Sequence, residues 1–338
     1  MDNVTHALHG LALYAVAATD PSIANDPTAM SAVLWAASLG SQAPDFDFVV
    51  RLFGGNVAYL KHHRGITHSL PAWLLWPTCL ALALWLFFPD HFGLLWWWSF
   101  LGVVVHVGMD LLTTYGTVAF WPISKRRYGW DILMIVDVVL WALGALGIFL
   151  WWQGVSPEQV LLATLVPAGL YLLVRVTVQL MLRRRVRQFY RQSGIEIGRI
   201  SVIPFLGLFR WNLVAESETG YETGTAHLRK GIAIHRKYAK NKVDAAREEL
   251  ERSQVYQVFS WFARHLFVEV KRAEDGQLRA EMADLTFGFQ DRLPLSAQVT
   301  LDAEGSVIEE RLMRKPVKVR AGKQKAQNGS ANKNHDAN

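Results

Sequence analysis

Long apolar runs dominate the middle of this 338-residue chain. Four of them, at residues 70–88, 92–113, 132–152 and 160–182, approach or exceed the ~20 residues that a helix needs to cross a bilayer. Two shorter stretches precede them: residues 1–18, for which Asp2 or Asn3 can cap a helix, and residues 28–39. The pattern predicts a polytopic α-helical membrane protein with four transmembrane helices behind short N-terminal helices.

The pattern changes after residue 193, where apolar and polar residues begin to alternate. The alternation predicts strands at residues 199–205, 208–216, 225–235 and 297–301, and a hairpin of residues 267–272 and 277–283. Residues 243–267 have the spacing of an amphipathic helix. We therefore predict three regions: a membrane-embedded helical domain (1–192), a cytoplasmic α+β domain (193–320) and a polar, disordered tail (321–338).

Lys and Arg are unevenly distributed around the four predicted spans. The loops at residues 89–91 and 153–159 contain none, whereas basic residues precede the first span, occupy the loop at 114–131 and follow the fourth span. The positive-inside rule then predicts a multi-pass membrane protein with both termini cytoplasmic. Since much of the net charge of +6 lies beside apolar segments, the expected charged partner is anionic membrane lipid rather than nucleic acid.

Metal-ligand side chains gather at the cytoplasmic ends of the spans. The segment His62-His63-Arg64-Gly65-Ile66-Thr67-His68-Ser69 stands directly before the first span. His106 and Asp110 are four residues apart on one face of the second span, and Asp131 begins the third. Ionisable groups inside a span are costly and usually face a bundle interior or a water-filled site.

Further ligand-type residues precede the spans on the same side. Asp45 and Asp47 are separated by one residue in the segment 40–47, which we interpret as a non-helical turn with an extended residue before Pro44. His6 lies in the first short helix. The single cysteine, Cys79, excludes an intrachain disulfide and a cysteine-based zinc site. Two structural alternatives stay open: a polar loop that meets lipid headgroups, or buried polar groups that satisfy one another across helices.

The order of these motifs resembles a known family. The motifs are Met1-Asp2-x-x-Thr5-His6 with Gly10, Gly40-Ser41-x-x-Pro44-Asp45-x-Asp47, His63-Arg64-Gly65-x-Thr67-His68-Ser69, and His106-x-x-x-Asp110-x-x-Thr113-x-Tyr115-Gly116, followed by Pro122, Arg127, Asp131 and Asp137. Together they resemble the LexA-binding, inner-membrane-associated hydrolase family, also described as membrane-bound metal-dependent hydrolases. The His-x-x-x-Asp pair is also similar to the zinc-dependent phospholipase C group, but residues 1–192 lack the His-x-x-x-Glu of that group.

These observations together predict a metal-dependent hydrolase. The expected ligands of a divalent cation, Zn²⁺ or alternatively Mn²⁺, are His6, Asp45, His63, His68, His106 and Asp110. A metal-bound water with a pKa of roughly 7 would be the nucleophile. Asp47 or Asp131 would act as general base, and Arg64 and Arg127 would hold a phosphate. The expected reaction is hydrolysis of an ester or phosphoester of a lipid or amphiphilic substrate at the cytoplasmic membrane face.

Two other functions fit the sequence. One is a non-enzymatic membrane scaffold or regulator that binds a cytoplasmic protein through its C-terminal domain. The other is a metal or proton transporter, which would spread polar groups through the bilayer instead of gathering them at one face. Three further histidines, His227, His235 and His265, lie in the C-terminal region, where we expect surface or packing roles.

Overall fold

The computed structural model describes residues 1–240, 246–288 and 293–313. The chain divides into two compact units, Met1–Gln179 and Leu180–Asn338. The division falls inside the longest helix, and our predicted boundary after residue 192 coincides with the end of that helix. The predicted tail at residues 321–338 and the end of the predicted 193–320 domain lie outside the described residues.

The first unit is built from helices. They are α1 (Asn3–Ala17), α2 (Pro21–Ala24), α3 (Pro27–Gly40), α4 (Val49–His62), α5 (Leu70–Trp85), α6 (Phe92–Leu111), α7 (Val138–Trp152) and α8 (Pro157–Gln192), which continues into the second unit. Three short 3-10 helices connect them, at Ala43–Phe48, Ile66–His68 and Pro89–His91.

Aspartate side chains cap the N-termini of four of these helices, and Asp20 does so for α2. The side chain of Asp2 accepts a hydrogen bond from the backbone N–H of Thr5 and caps α1, as predicted. Asp26 caps α3 in the same way, with a proline at the first position of the helix. Asp137 caps α7 by accepting from the N–H of Val139. Each cap satisfies backbone donors that the first turn of a helix leaves without partners.

Two segments of the described chain have the length and composition of membrane spans. They are Pro89–Leu111, with 23 residues, and Pro157–Gln192, with 36. The other two predicted spans correspond to the shorter apolar helices α5 and α7, of 16 and 15 residues. The predicted start of the third span at residue 132 is wrong by six residues, because the N–H groups of Ile132 and Leu133 both bond the carbonyl of Leu112 and Asp137 caps the helix.

One local expectation in the N-terminal unit is also corrected. The segment around Asp45 and Asp47 forms a 3-10 helix, so the residue before Pro44 is not extended. Helix α4 was not predicted; it bends at Gly55, whose φ of 72° is in the left-handed region.

Close contact between α3 and α6 forms the centre of the first unit. The buried face of α3 consists largely of alanines, which have no measurable exposure at Ala32, Ala36 and Ala37. A Cβ at Gly40 would collide with the backbone of Ser99, and one at Gly102 would lie 2.7 Å from the backbone nitrogen of Ser41. Such small residues let helix backbones approach closely. The contact brings the end of α3 beside the second half of α6.

The second unit contains two four-stranded antiparallel sheets, each with its strands in sequence order. The first sheet consists of β1 (Arg199–Pro204), β2 (Arg210–Glu216), β3 (Gly220–His227) and β4 (Gly231–Ala239). Two short helices follow, α9 (Arg247–Leu250) and α10 (Gln254–Phe262). The second sheet consists of β5 (Leu266–Arg272), β6 (Leu278–Asp284), β7 (Ser296–Leu301) and β8 (Val307–Leu312).

Side chains of both sheets share one core, which includes Val214 and Tyr238 from the first sheet and Phe267 and Ala283 from the second. The predicted β5–β6 hairpin and the strands β1, β2 and β7 are confirmed. The single strand predicted at residues 225–235 is wrong, since a turn with Gly231 at a φ of 80° separates β3 from β4.

The helix predicted at residues 243–267 is instead α9, α10 and the start of β5, and its first residues, 243–245, lie outside the described chain. The last strand, β8, was not predicted.

Candidate metal centre

Four buried side chains from three elements converge in the first unit. Asp45 lies in the 3-10 helix after α3, and His68 in the 3-10 helix before α5. His106 and Asp110 lie one turn apart on α6. One ligand atom from each of these four residues lies within 4.8 Å of all the others.

The closest atoms are imidazole nitrogens and carboxylate oxygens. His68 Nε2 is 3.3 Å from Asp110 Oδ2 and 3.5 Å from Asp45 Oδ1. His106 Nε2 is 3.6 Å and 3.7 Å from the same two oxygens. The two Nε2 atoms are 3.2 Å apart. Three of the four residues are fully buried, and Asp45 is 9% exposed.

Hydrogen bonds on the far side of each imidazole determine its tautomer. His106 Nδ1 lies 2.7 Å from the backbone carbonyl of Ser41, which can only accept, so Nδ1 carries the proton. The hydroxyl of Thr67 donates to Asp47 and must therefore accept from His68 Nδ1, 3.0 Å away. Both Nε2 atoms are consequently unprotonated and direct lone pairs at each other and at the carboxylates.

Four acceptors therefore meet in one buried volume. Asp45 Oδ1 and Asp110 Oδ2 have no hydrogen-bond partner in the described chain. Buried charges normally require a partner or a metal. A cation at this point would satisfy two neutral imidazoles and two carboxylates together, and the residues present thus fit a metal ion. Two nitrogen and two oxygen ligands suit Zn²⁺, while Mn²⁺ also accepts carboxylate and imidazole.

The electrostatics of His68 favour ligation. Burial lowers the pKa of His68 to about 3, which keeps its imidazole neutral near pH 7. Metal binding requires a neutral imidazole, so ligation at neutral pH costs no deprotonation here. The hydrogen bond from Nδ1 to Thr67 fixes the orientation of the ring, as outer partners of metal-ligating histidines usually do.

The second oxygen of Asp110 faces a different group of partners. Oδ1 pairs with the amino group of Met1, lies 3.1 Å from Arg64 Nη2 and is 3.4 Å from His6 Nε2. The His6 ring stacks on the His106 ring with centroids 3.6 Å apart. His6 is fully buried and has no hydrogen-bond partner for either ring nitrogen within the described residues. The structure thus places His6 beside the four converging residues but not among them.

Asp47 and His63 form an adjoining pair. His63 Nδ1 is 3.0 Å from Asp47 Oδ1, and Asp47 Oδ2 accepts from the backbone N–H of Arg64 and from Thr67. Atoms of Asp45, Asp47 and His63 form a second group within 4.8 Å. The His63 side chain is 14% exposed, whereas that of Asp47 is 1% exposed. His63 thus connects the buried carboxylates with the surface.

The predicted phosphate-binding arginines point into the protein. Arg64 has a φ of 55°, a strained conformation for a residue with a side chain, and its Nη2 donates to the carbonyl of Met1 at 2.9 Å. Arg127 donates to the carbonyls of His63 and Gly116. Burial lowers the pKa of Arg127 to about 10, so it stays cationic at neutral pH. Both guanidinium groups tie backbone segments together around the centre.

Asp131, a predicted general base, is fully buried and belongs to neither group of candidate ligands. Its φ is 58°, and its backbone carbonyl accepts from Gln179. One polar residue beside the centre was not predicted to have a role. His9 lies one turn beyond His6, with ring centroids 6.0 Å apart, and its Nδ1 has no hydrogen-bond partner in the described chain. The i, i+3 spacing from His6 was the available signal.

Comparisons with known proteins cover the same region. Residues 1–182 match the YdjM inner membrane protein family. A relative from Bacillus subtilis (strain 168), named "Uncharacterized protein YfhP", is 34% identical over 225 residues, which are 66% of this chain and 68% of the relative. No solved structure matches. Neither name mentions LexA or hydrolysis, so the comparisons support only the membrane part of the resemblance. The chain belongs to the YdjM inner membrane protein family.

Proposed function

We propose that this protein is a membrane-bound, metal-dependent hydrolase. It acts on an ester or phosphoester of a lipid or amphiphilic substrate at the cytoplasmic face of the inner membrane. The observation that carries the proposal is the convergence of His68 Nε2, His106 Nε2, Asp45 Oδ1 and Asp110 Oδ2 in a buried volume where none faces a donor. A self-satisfied polar network would place donors between these acceptors.

The proposed ligands are His68, His106, Asp45 and Asp110. When bound, a divalent metal would polarise the scissile group and supply a water of lowered pKa. The Ser41 carbonyl accepts a hydrogen bond from His106 Nδ1, and the Thr67 hydroxyl accepts one from His68 Nδ1. These two hydrogen bonds orient the imidazoles. His6 and the second oxygen of Asp110 form one flank of the site.

Proton transfer is proposed for the pair of Asp47 and His63. Its atoms lie within 4.8 Å of Asp45, and His63 is in hydrogen-bond contact with Asp47. A carboxylate that orients an imidazole is an arrangement suited to accept a proton from water. Because His63 is partly exposed, it can pass that proton to solvent.

A membrane-surface location is supported by the surroundings of the centre. The segment between Asp45 and His63 exposes large apolar side chains, including Leu52 at 73% and Phe53 at 88%. Exposed apolar groups of this size indicate contact with a membrane or a partner protein. The clusters of Lys and Arg at the same ends of the apolar segments favour the cytoplasmic face and, with it, cytoplasmic termini.

The test is hydrolysis by the metal-loaded protein in detergent micelles. Long-chain p-nitrophenyl esters and phosphodiesters are offered separately, which identifies the bond that is broken. We expect turnover that a chelator abolishes and that added Zn²⁺ or Mn²⁺ restores. Asp110→Asn should be inactive, whereas His235→Ala, a change at an exposed histidine of β4, should match the wild type. Metal-loaded protein without turnover on any of these substrates would favour the scaffold function instead.

A further inference from the structure

An apolar cavity lies between α1, α7 and α8, next to the candidate metal centre. Its volume is about 470 Å³, within the usual range for small-molecule sites. One face of α1 contributes Leu8, Ala12 and Ala15, which recur at helical spacing. Gly144 and Gly147 of α7 line the facing wall. A Cβ at Gly144 would lie 2.6 Å from the Leu8 side chain, so this glycine lets α1 and α7 approach closely beside the cavity.

The cavity extends along α1 and α7, which run side by side in the same direction. The Thr5 hydroxyl accepts from Trp141 Nε1 at one end, and the Tyr14 and Trp151 rings are 5.4 Å apart at the other. Nine or ten residues of helix separate these contacts, which corresponds to about 14–15 Å. That length equals half of the ~30 Å hydrocarbon core, the depth that the acyl chains of one leaflet occupy.

The end of the cavity at Thr5 is next to the metal centre. Thr5 and Met109 line this end, His9 lies one turn further along α1, and the residue after Met109 is the candidate ligand Asp110. His9 Nδ1 is buried and has no hydrogen-bond partner in the described part of the chain. The His9 ring adjoins that of His6, whose Nε2 is 3.4 Å from Asp110. A group placed at this end would therefore lie between the cavity and the metal centre.

The cavity is accessible from the side. Ile148 of α7 is 50% exposed and Leu165 of α8 is 45% exposed, although both line the cavity. Both helices are apolar, and α8 has the composition of a membrane span. A hydrocarbon chain can therefore enter directly from the bilayer without crossing water.

We propose that this cavity binds the acyl chain of a membrane lipid. The chain lies along α1, and the ester or phosphoester that joins it to the headgroup lies at His9, where the free Nδ1 position provides a hydrogen bond to an ester or phosphate oxygen. The binding site follows from the cavity alone. We further propose that the bond held at His9 is the one that the protein hydrolyses. This part rests on the proposed function, and it narrows the substrates of the protein to lipids with a long acyl chain.

The experiment is photo-crosslinking of the full-length protein in nanodiscs. The probe is a single-chain phospholipid with a diazirine near the end of its acyl chain, and labelled peptides are identified by mass spectrometry. We expect label on α1, α7 and α8 at residues that line the cavity. Ala12→Phe fills the cavity and should reduce this label about tenfold or more, because extra volume in a packed apolar site excludes the chain.

Ala7→Phe is the matched control. It adds the same side chain to the same helix at an exposed position that does not line the cavity, and it should leave the label unchanged. Bound metal equal to the wild type in both variants shows that they fold. Equal labelling of wild type and Ala12→Phe, or label spread over lipid-exposed residues of α5 as strongly as over the cavity, would overturn the proposal.

The same labelling is repeated with Asp110→Asn, which separates the two proposals. Label retained in that variant shows that the chain binds without a functioning metal site, so the cavity proposal stands even when no hydrolysis is found. Metal-dependent hydrolysis with no cavity labelling would leave the proposed function intact and remove this inference. His9→Leu should keep the acyl label while raising the KM for a long-chain ester more than that for a short-chain one.

Discussion

The two units each bury a cluster of histidine and carboxylate side chains, and the clusters differ in their donors. In the second unit, Asp284 accepts the backbone N–H groups of Arg264, His265 and Thr286. His265 Nε2 is 2.8 Å from the Ser201 hydroxyl. In the first unit, Asp45 Oδ1 and Asp110 Oδ2 have no such donors among the described residues.

Buried histidine and carboxylate side chains thus have different surroundings in the two units. A buried carboxylate that accepts three backbone N–H groups is stabilised in its ionised form and holds a turn in place. A pair of carboxylates that faces only the lone pairs of two imidazoles is costly unless a cation joins it. We therefore interpret the cluster around Asp284 as structural and the cluster around Asp110 as functional.

The largest expected effect is on bound metal. His68→Ala and Asp110→Asn each remove a ligand, and we expect bound transition metal to fall from about one equivalent to nearly none. Metal analysis of the purified variants measures this directly. His265→Ala removes an equally buried histidine from the second unit and should leave the metal content unchanged. Loss of metal in that variant would break the distinction between the clusters.

A smaller effect is expected when an orienting partner of a ligand is removed. Thr67→Val deletes the hydroxyl that accepts from His68 and donates to Asp47. Loss of such a partner usually lowers metal affinity about 10–100-fold, so the variant should still bind metal but lose it to a weaker chelator. Competition titration with a metal indicator gives the affinity. Unchanged affinity would show that the Thr67 contact does not orient a ligand.

In the second unit, we expect a substitution in the histidine and carboxylate cluster to lower stability and to leave bound metal unchanged. Asp284→Ala leaves three backbone N–H groups without their acceptor, and each unsatisfied buried donor costs about 1–3 kcal/mol. The free energy of unfolding of the full-length protein, followed by a signal from the sheets, should fall while the metal content stays the same. A variant of full stability would contradict the structural role of Asp284.

We expect the smallest effect on stability and on bound metal from a substitution at an exposed histidine. His235 is exposed, and its Nε2 lies 3.1 Å from the Thr225 hydroxyl. His235→Ala should change the unfolding free energy by no more than about 0.5 kcal/mol and should not alter bound metal. A marked loss of metal here would place a site in the second unit.

Much of the helical framework could be predicted because it follows from local signals. Asp2 before a short apolar run and long apolar stretches near residues 92–113 and 160–182 identify α1, α6 and α8. Residues 132–136 could not be separated from α7, because they are as apolar as the helix. Their backbone instead bonds to the end of α6, a contact that depends on the tertiary fold.

The candidate ligands could be selected from the spacing of His and Asp residues in the sequence, but the protonation and the role of each could not be predicted. The sequence predicted that Asp45, His68, His106 and Asp110 lie at one membrane face, and the structure places them in one group. The protonation of the two imidazoles depends on the Ser41 carbonyl and the Thr67 hydroxyl, which are positioned by packing. The proposed role of His9 likewise depends on a cavity between α1 and two helices that are distant from it in sequence, α7 and α8.

The most direct test is metal analysis of wild-type protein purified without chelators, combined with its melting temperature before and after metal is removed and restored. The proposed metal centre predicts at least one equivalent of a transition metal, and a melting temperature that falls when metal is removed and recovers when it is added. A ligand at 100 times its Kd stabilises the folded state by about 2.7 kcal/mol, which such a measurement resolves. Less than one equivalent of metal, together with a melting temperature that added Zn²⁺ or Mn²⁺ does not change, would contradict it.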